Sequence, residues 1–503
     1  MTDLPERAIP PTESERRTLL RRQKGFRIHV AFFVLAQVLL FAIWDLQRWL
    51  EGTSYPWFLY ALVGWGIVLA AHYAVTRGDP EVPPDSNGKP RMKAWKVAAL
   101  IAATLGLFLG GVYLFLERPW SNYSLVDMLT LIDSDKRAYN FQHMDQIFPA
   151  ETITAAPVSY ELPRKERSLP TTYPFDGEER SLDRFLKRTS TTGLLVIDDG
   201  TIVHESYYLG ASASSRFTSW SMAKSFVATL VGQALAAGRI QSLSDPISAY
   251  VPALVGTSFE GVPIRDALEM ASGVNFDESY SSPFSDINLF FVKLFLLGQS
   301  ANDVMDDYGR VGPAGEEFHY ASINTQALGM LVSAVYRQPL IKVLENQLWH
   351  PLGARAASWN IDDTDGSGTP IAFCCINARL RDFAKLGQLY LQGGRWQGRR
   401  LLPASWVREA TTPRAPFLEP GALSKDGDGQ NGYGYQWWIP PGVHRTYMAS
   451  GLMGQYIYVS EPDDVVIVRT STEASSEDEE REILTAFQTI ADYLHELAPA
   501  SAK

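Results

Sequence analysis

Residues 217–238, Phe-Thr-Ser-Trp-Ser-Met-Ala-Lys-Ser-Phe-Val-Ala-Thr-Leu-Val-Gly-Gln-Ala-Leu-Ala-Ala-Gly, constrain this chain more than any other stretch. No proline interrupts them, Ser219 stands where an N-cap belongs, and Gly238 supplies a C-terminal stop, so the stretch reads as a helix. Met222, Phe226, Val227, Leu230, Val231 and Leu235 cover nearly every face of it. A helix that is apolar all round must be enclosed on all sides, and a chain of 503 residues is long enough to enclose it. Ser221 falls in the first turn, where the helix dipole favours developing negative charge. Lys224 follows one turn along the same face. A hydroxyl becomes a nucleophile when a base takes its proton, and a lysine whose pKa is lowered by burial can be that base. On spacing alone the pair reads more readily as a small buried polar residue beside a snorkelling lysine. The same spacing recurs at Ser86-Asn-Gly-Lys89, in a Pro- and Gly-rich stretch that no helix would order.

The formal net charge of −11 argues against nucleic acid as a partner. Cys374 and Cys375 are the only cysteines and are adjacent, so no disulfide framework is expected and two buried thiols are. The eight histidines show no ligand spacing, so neither metal nor cofactor is implied.

Residues 1–25 form a polar, basic tail, and three apolar stretches follow at 28–44, 55–75 and 97–116. A membrane span needs about 20 apolar residues, which predicts a membrane region over 26–117 with three transmembrane helices at about 28–48, 55–75 and 97–116. Seven basic residues precede the first span (Arg7, Arg16, Arg17, Arg21, Arg22, Lys24, Arg27), only Arg48 follows it, and five lie between the second and third (Arg77, Lys89, Arg91, Lys93, Lys96). The positive-inside rule then puts the N-terminus in the cytoplasm and everything after the third span outside. The expected partner is thus the bilayer of a cell (inner) membrane, with the following domain periplasmic or extracellular. His29 and His72 fall at similar depth near the inner ends of the first two spans, where an interhelical hydrogen bond is the preferred reading over a ligand site. The opening, with Lys24-Gly-Phe-Arg-Ile-His29 and Gly64-Trp-Gly-Ile-Val-Leu-Ala-Ala-His72, resembles the small membrane module called the 2TM domain over roughly 15–77.

Residues 118–175 are polar and Pro-punctuated and read as a tether packing on a globular domain at 176–498. Two β-rich runs around Asp199-Gly200 predict a hairpin. Mainly helical segments continue to about 410. Strand-like stretches at 432–438, 446–460 and 465–470 come next, then an acidic helix over 476–497. Strands at both ends with helices between predict one antiparallel sheet flanked by helices, with a helical subdomain inserted.

Four stretches, in order, carry a resemblance over about 140–470: Ser221-Met-Ala-Lys224-Ser-Phe, Ile264-Arg-Asp-Ala-Leu-Glu-Met-Ala-Ser-Gly273, Pro313-Ala-Gly-Glu-Glu-Phe-His-Tyr320-Ala-Ser-Ile-Asn-Thr, and Ala449-Ser-Gly-Leu-Met-Gly-Gln455. Together they resemble the serine β-lactamase-related hydrolases, which include class C β-lactamases, DD-peptidases, esterases and 6-aminohexanoate-dimer hydrolases, the last most of all. Asn140-Phe-Gln-His-Met-Asp-Gln-Ile-Phe-Pro149 looks like the approach segment of that subgroup. The resemblance implies an α/β (α+β) β-lactamase/transpeptidase-like fold and an acyl-enzyme on Ser221. It makes Lys224 and Tyr320 the proton-transfer groups, and Ser450, Gly451 and Leu452 the lining and oxyanion residues.

Asn324 stands four residues after Tyr320, where the family's Asn comes two after and Ser322 holds that place. Ala449 replaces the family's Lys or His, so the cation that grips a substrate carboxylate is missing. His444 and Arg445 are near in sequence and acquire no role. The reading is a membrane-anchored serine hydrolase acting on a small amide or ester. Its alternatives are a β-lactamase or DD-carboxypeptidase acting on cell-wall peptides, and a sensor domain that stays acylated.

Overall fold

A computed structural model describes residues 123–497, apart from 363–367, 424–429, 443–444 and 474–475, together with short stretches of the first quarter, the longest being the helix Ile28–Phe41. The chain divides into two compact units at Lys136/Arg137. In the first unit, Ile28–Phe41 leaves Phe32, Leu35, Val38 and Leu39 exposed. Trp65 donates from Nε1 to His29 Nε2 at 2.9 Å, so the hydrogen bond expected of His29 is made with an indole; His72 lies outside the described residues. Most of 55–75 and 97–116 lies outside them as well. Among the described residues, no single helix is long and apolar enough to cross a membrane.

The second unit is built on a seven-stranded antiparallel sheet that sets five late strands beside two early ones. Gly432–Tyr433, Trp438–Ile439, Thr446–Gly451, Gln455–Ser460 and Val465–Ser471 come late in the chain; Thr191–Asp198 and Thr201–Tyr207 complete the sheet. The join is the pairing of Val465–Ser471 with Thr191–Asp198. Asp199 (φ +47°) and Gly200 (φ +67°) supply the two left-handed residues of a tight hairpin, with Asp198 opposite Thr201. Leu194, Val196, Tyr458 and Ile467 face Phe185 and the C-terminal helix Glu477–Glu496 through Ile483, Phe487 and Ile490. The opposite face meets the helix Leu380–Leu391, so closely that a Cβ on Gly387 would lie 2.6 Å from Val466 Cγ1. Covered on both faces, the strands read as continuous apolar runs rather than alternating ones.

A second, four-stranded sheet runs Ala150–Ile153, Ala357–Asn360, Ile376–Ala378, Phe217–Thr218. The stretch read as a tether therefore contributes an edge strand to the same compact unit. Asn360 fixes the segment before that strand by donating from Nδ2 to the carbonyls of Met144, Phe148 and Pro149 at 3.1–3.3 Å. The helix Ala223–Ala236 is enclosed as its composition demands: Phe226, Val227, Leu230 and Val231 are fully buried. At Gly232 any side chain would strike the Trp406 indole, 2.4 Å from a Cβ. Gly238 (φ +68°) ends the helix as expected.

Candidate active site

Ser221 does not sit behind a Ser219 cap. The helix proper begins at Ala223, and Trp220–Met222 form a 3-10 turn ahead of it. Ser219 is itself helical in φ and ψ and makes no cap bond. It is instead fastened to the second sheet: its N–H donates to Ile376 O at 2.7 Å, and Ile376 N–H donates to its Oγ at 3.0 Å. A partner 157 residues away took the hydroxyl that local capping logic assigned to the helix. Trp220 is held at φ +43°, a conformation that costs a β-carbon-bearing residue strain and clusters at functional sites. The residue before Ser221 is thus turned sharply, and Ser221 remains partly accessible at the start of a buried helix.

Lys224 is 2 % exposed, with Nζ 2.9 Å from Ser221 Oγ and 3.1 Å from the carbonyl oxygen of Phe373. Its Nζ also lies 5.1 Å from the centre of the Tyr320 ring and 5.3 Å from that of Phe373. Burial pulls the ammonium pKa down from 10.5 to about 8, against an opposing pull from the Glu278 carboxylate. A lysine so placed is neutral in a useful fraction of molecules at neutral pH, and its line to Ser221 Oγ is short enough to accept the proton.

Tyr320 stacks on Trp438 at 5.5 Å and meets Tyr433 edge-on at 6.3 Å. Of the aromatic run 432–438, these two therefore flank the site. Two residues on, Ser322 donates from its backbone N–H and its hydroxyl to Glu278, at 2.8 and 2.5 Å. The Tyr280 hydroxyl donates to the same carboxylate at 2.8 Å. Asn324 turns away, its Nδ2 on the sulfur of buried Met270 at 3.5 Å. Glu278 and Tyr280 went unnoticed in the sequence because they stand in a loop with no periodicity, and only tertiary structure brings that loop to Lys224.

The strand Thr446–Gly451 ends against the turn that carries Ser221. A Cβ on Gly451 would lie 2.5 Å from Ser219 O and 3.1 Å from Ser221 N, so only glycine permits this approach. Ser450 and Leu452 flank it, both partly exposed. Ala449 is buried, and Arg445, at the other end of the strand, pairs with Glu461 at 3.2 Å. His444 lies outside the described residues. One expectation is overturned: Cys374 and Cys375 are joined as a disulfide. Neighbouring cysteines rarely bond each other, which is why the sequence predicts two thiols. Here Cys375 adopts φ +71° in a tight turn, which brings the two sulfurs together. That turn lies between Phe373, whose carbonyl meets Lys224, and Ile376, which holds Ser219. Among the described residues no three His, Cys, Asp or Glu side chains are grouped to hold a metal ion.

A 2TM domain model matches residues 15–81. The chain is 28% identical over 299 residues to the 6-aminohexanoate-dimer hydrolase of Paenarthrobacter ureafaciens, covering 58% of this chain and 75% of that one. Among solved structures, one assigned as a 6-aminohexanoate-dimer hydrolase from Bacillus anthracis superposes with a TM-score of 0.65 at 21% identity, covering 73% of this chain and 97% of its own. EstCE1, a hydrolase with promiscuous acyltransferase activity, superposes at 0.50 with 15% identity, over 62% and 98% of the two chains. At these identities the structures speak for a β-lactamase/transpeptidase-like fold. The Beta-lactamase family model matches residues 179–489, more than half of the sequence, and the chain belongs to that family of serine hydrolases.

Proposed function

We propose that this protein is a membrane-anchored, extracytoplasmic hydrolase that cleaves a small amide or ester through an acyl-enzyme on Ser221. The observation that carries the reading is the buried Lys224 Nζ, 2.9 Å from Ser221 Oγ with its pKa brought down to about 8. Neutral Lys224 takes the Ser221 proton as Oγ attacks the acyl carbon. The proton then passes, with Tyr320 beside it, to the departing amine or alcohol. Water attacks the acyl-enzyme by the same route in reverse, its proton going to Lys224 and back to Ser221 as the acid leaves. The N–H groups of Ser221 and Leu452 receive the oxyanion, a role supported by the contact of Gly451 with the Ser221 backbone. A neutral substrate is favoured because Ala449 offers no charge and Arg445 is already paired.

Anchoring by spans at about 28–48, 55–75 and 97–116 draws support from the 2TM match and from the distribution of basic residues. The Cys374–Cys375 bond fits an oxidising compartment. A charged, membrane-impermeant fluorophosphonate applied to spheroplasts should label the wild-type chain and leave Ser221→Ala unlabelled. Label that persists in Ser221→Ala moves the nucleophile elsewhere; label that appears only after lysis puts the catalytic unit inside.

A further inference from the structure

The turn 452–454 that presents the Leu452 N–H is an unfavourable one. Met453 (φ +61°) and Gly454 (φ +79°) are both left-handed, which a methionine adopts only under constraint. Its carbonyls lie beyond the end of the strand ladder and need other partners. Gln455, the next residue, provides them. Its side-chain amide is buried and folds back along its own turn, with Nε2 2.9 Å from Met453 O and 3.2 Å from Leu452 O. The same nitrogen reaches Ser471 O at 2.7 Å, and Oε1 accepts from Ser471 N–H at 3.3 Å. One amide thus ties the turn to the neighbouring strand, at the irregularity in its pairing between Thr470 and Ser471.

Arg469 reinforces the tie from behind. It is 1 % exposed, and its guanidinium donates to Gly454 O (3.2 Å), Thr189 O (2.8 Å) and Thr191 Oγ1 (3.0 Å), all neutral oxygens. Burial lowers its pKa only to about 10, so it stays charged at neutral pH. A Cβ at Gly454 would lie 2.6 Å from Arg469 Nη1, so that glycine is required by the guanidinium as well as by its φ.

We infer that Gln455, backed by Arg469, is the positioning residue of the oxyanion hole. The inference rests on the reading of Ser221 and Leu452 given above. Gly451 is pinned on one side by its contact with Ser219 and Ser221; Gln455 fixes the carbonyls of Leu452 and Met453 on the other. The backbone of Leu452, between them, is held from both sides. An oxyanion donor stabilises a transition state only if it already points at the place where charge develops.

The experiment compares a p-nitrophenyl ester with its matched thionoester, whose larger sulfur fills an oxyanion hole poorly, for wild type, Gln455→Met and Gln455→Glu. Gln455→Glu keeps the shape and the acceptor for Ser471 N–H, and serves if Gln455→Met is insoluble. We expect kcat on the oxygen ester to fall about tenfold or more with KM within about twofold, because the donor is misdirected rather than lost. The ester-to-thionoester ratio falls with it, while the ascending pH limb set by Lys224 stays in place. Unchanged kcat, or a fall that leaves the ester-to-thionoester ratio untouched, overturns the inference. Failure of wild type to label at Ser221 would instead overturn the reading beneath it.

Discussion

Raising the pH from 6 to 10 should carry acylation of Ser221 through a single ascending limb centred near pH 8. Lys224 must be neutral to accept the hydroxyl proton, and burial brings its pKa from 10.5 to about 8. At about 1.36 kcal/mol per unit, that displacement corresponds to roughly 3 kcal/mol of disfavour for the ammonium. At pH 7 a lysine titrating at 8 is neutral in roughly one molecule in ten, and one titrating at 10.5 in roughly one in three thousand. Burial is therefore worth a factor of about 300 in competent enzyme. The assay is the pseudo-first-order rate of fluorophosphonate labelling of the full chain, which should rise about tenfold per unit below pH 8 and then level off. Glu278 supplies a second arm. Its carboxylate raises the Lys224 pKa, so Glu278→Gln should move the limb to lower pH and quicken labelling at pH 7. A limb at pH 10, a flat profile, or an upward move in Glu278→Gln would each refute the reasoning. The same displacement bears on stability. With the folded-state pKa below the unfolded one, the unfolded chain binds more protons between about pH 8 and 10.5, and this group's contribution to stability rises with pH across that window.

Two further outcomes are expected. With Ala449 in place of a cation and Arg445 committed to Glu461, a carboxylate beside the scissile bond finds no charge-assisted partner, an interaction worth about 1.5–3 kcal/mol. A cephalosporin should therefore show kcat/KM at least about tenfold below that of a neutral p-nitrophenyl ester, and cephalosporin turnover matching the ester would refute this. The second concerns the Cys374–Cys375 bond, which lies in the segment that supplies Phe373 O to Lys224. The denatured, unreduced chain should give no thiols with Ellman's reagent and two after dithiothreitol, and reduction of the folded protein should slow labelling of Ser221. Two free thiols before reduction would return these residues to the unbonded pair that their sequence suggested.

Much of this was legible in the residues, and the reasons differ from element to element. The helix Ala223–Ala236 could be read because its apolar coverage and its terminal glycine are local properties. The Asp199-Gly200 hairpin was legible because the left-handed pair admits few residue types. What escaped the sequence depended on partners far along the chain. Ser219 bonds Ile376 rather than its own helix. The strand Ala150–Ile153 has four residues and exists because Ala357–Asn360 lies beside it. Glu278 reaches Lys224 and Ser322 only in the folded state. The strain at Trp220 has no signature at all, since nothing in a tryptophan's chemistry announces a positive φ.

The stretch Ala449-Ser-Gly-Leu-Met-Gly-Gln455 shows the same division between backbone and side chain. Gly451 stands where a single methyl group would collide with Ser219 O and press on Ser221 N. Gln455 stands where its amide holds the turn before it. Both act on backbone geometry beside Ser221, and under the proposed acyl transfer that geometry serves the reacting carbonyl whatever else the substrate carries. Ala449 supplies no charge that could read a substrate's own side group: its place is buried and its ladder partner is Ile457. A domain without chemistry would have no need of the strained Trp220, of a Gly451 that the backbone of Ser219 and Ser221 requires, or of the buried Lys224 ammonium beside Ser221. Their joint presence is what the acyl chemistry proposed for Ser221 requires.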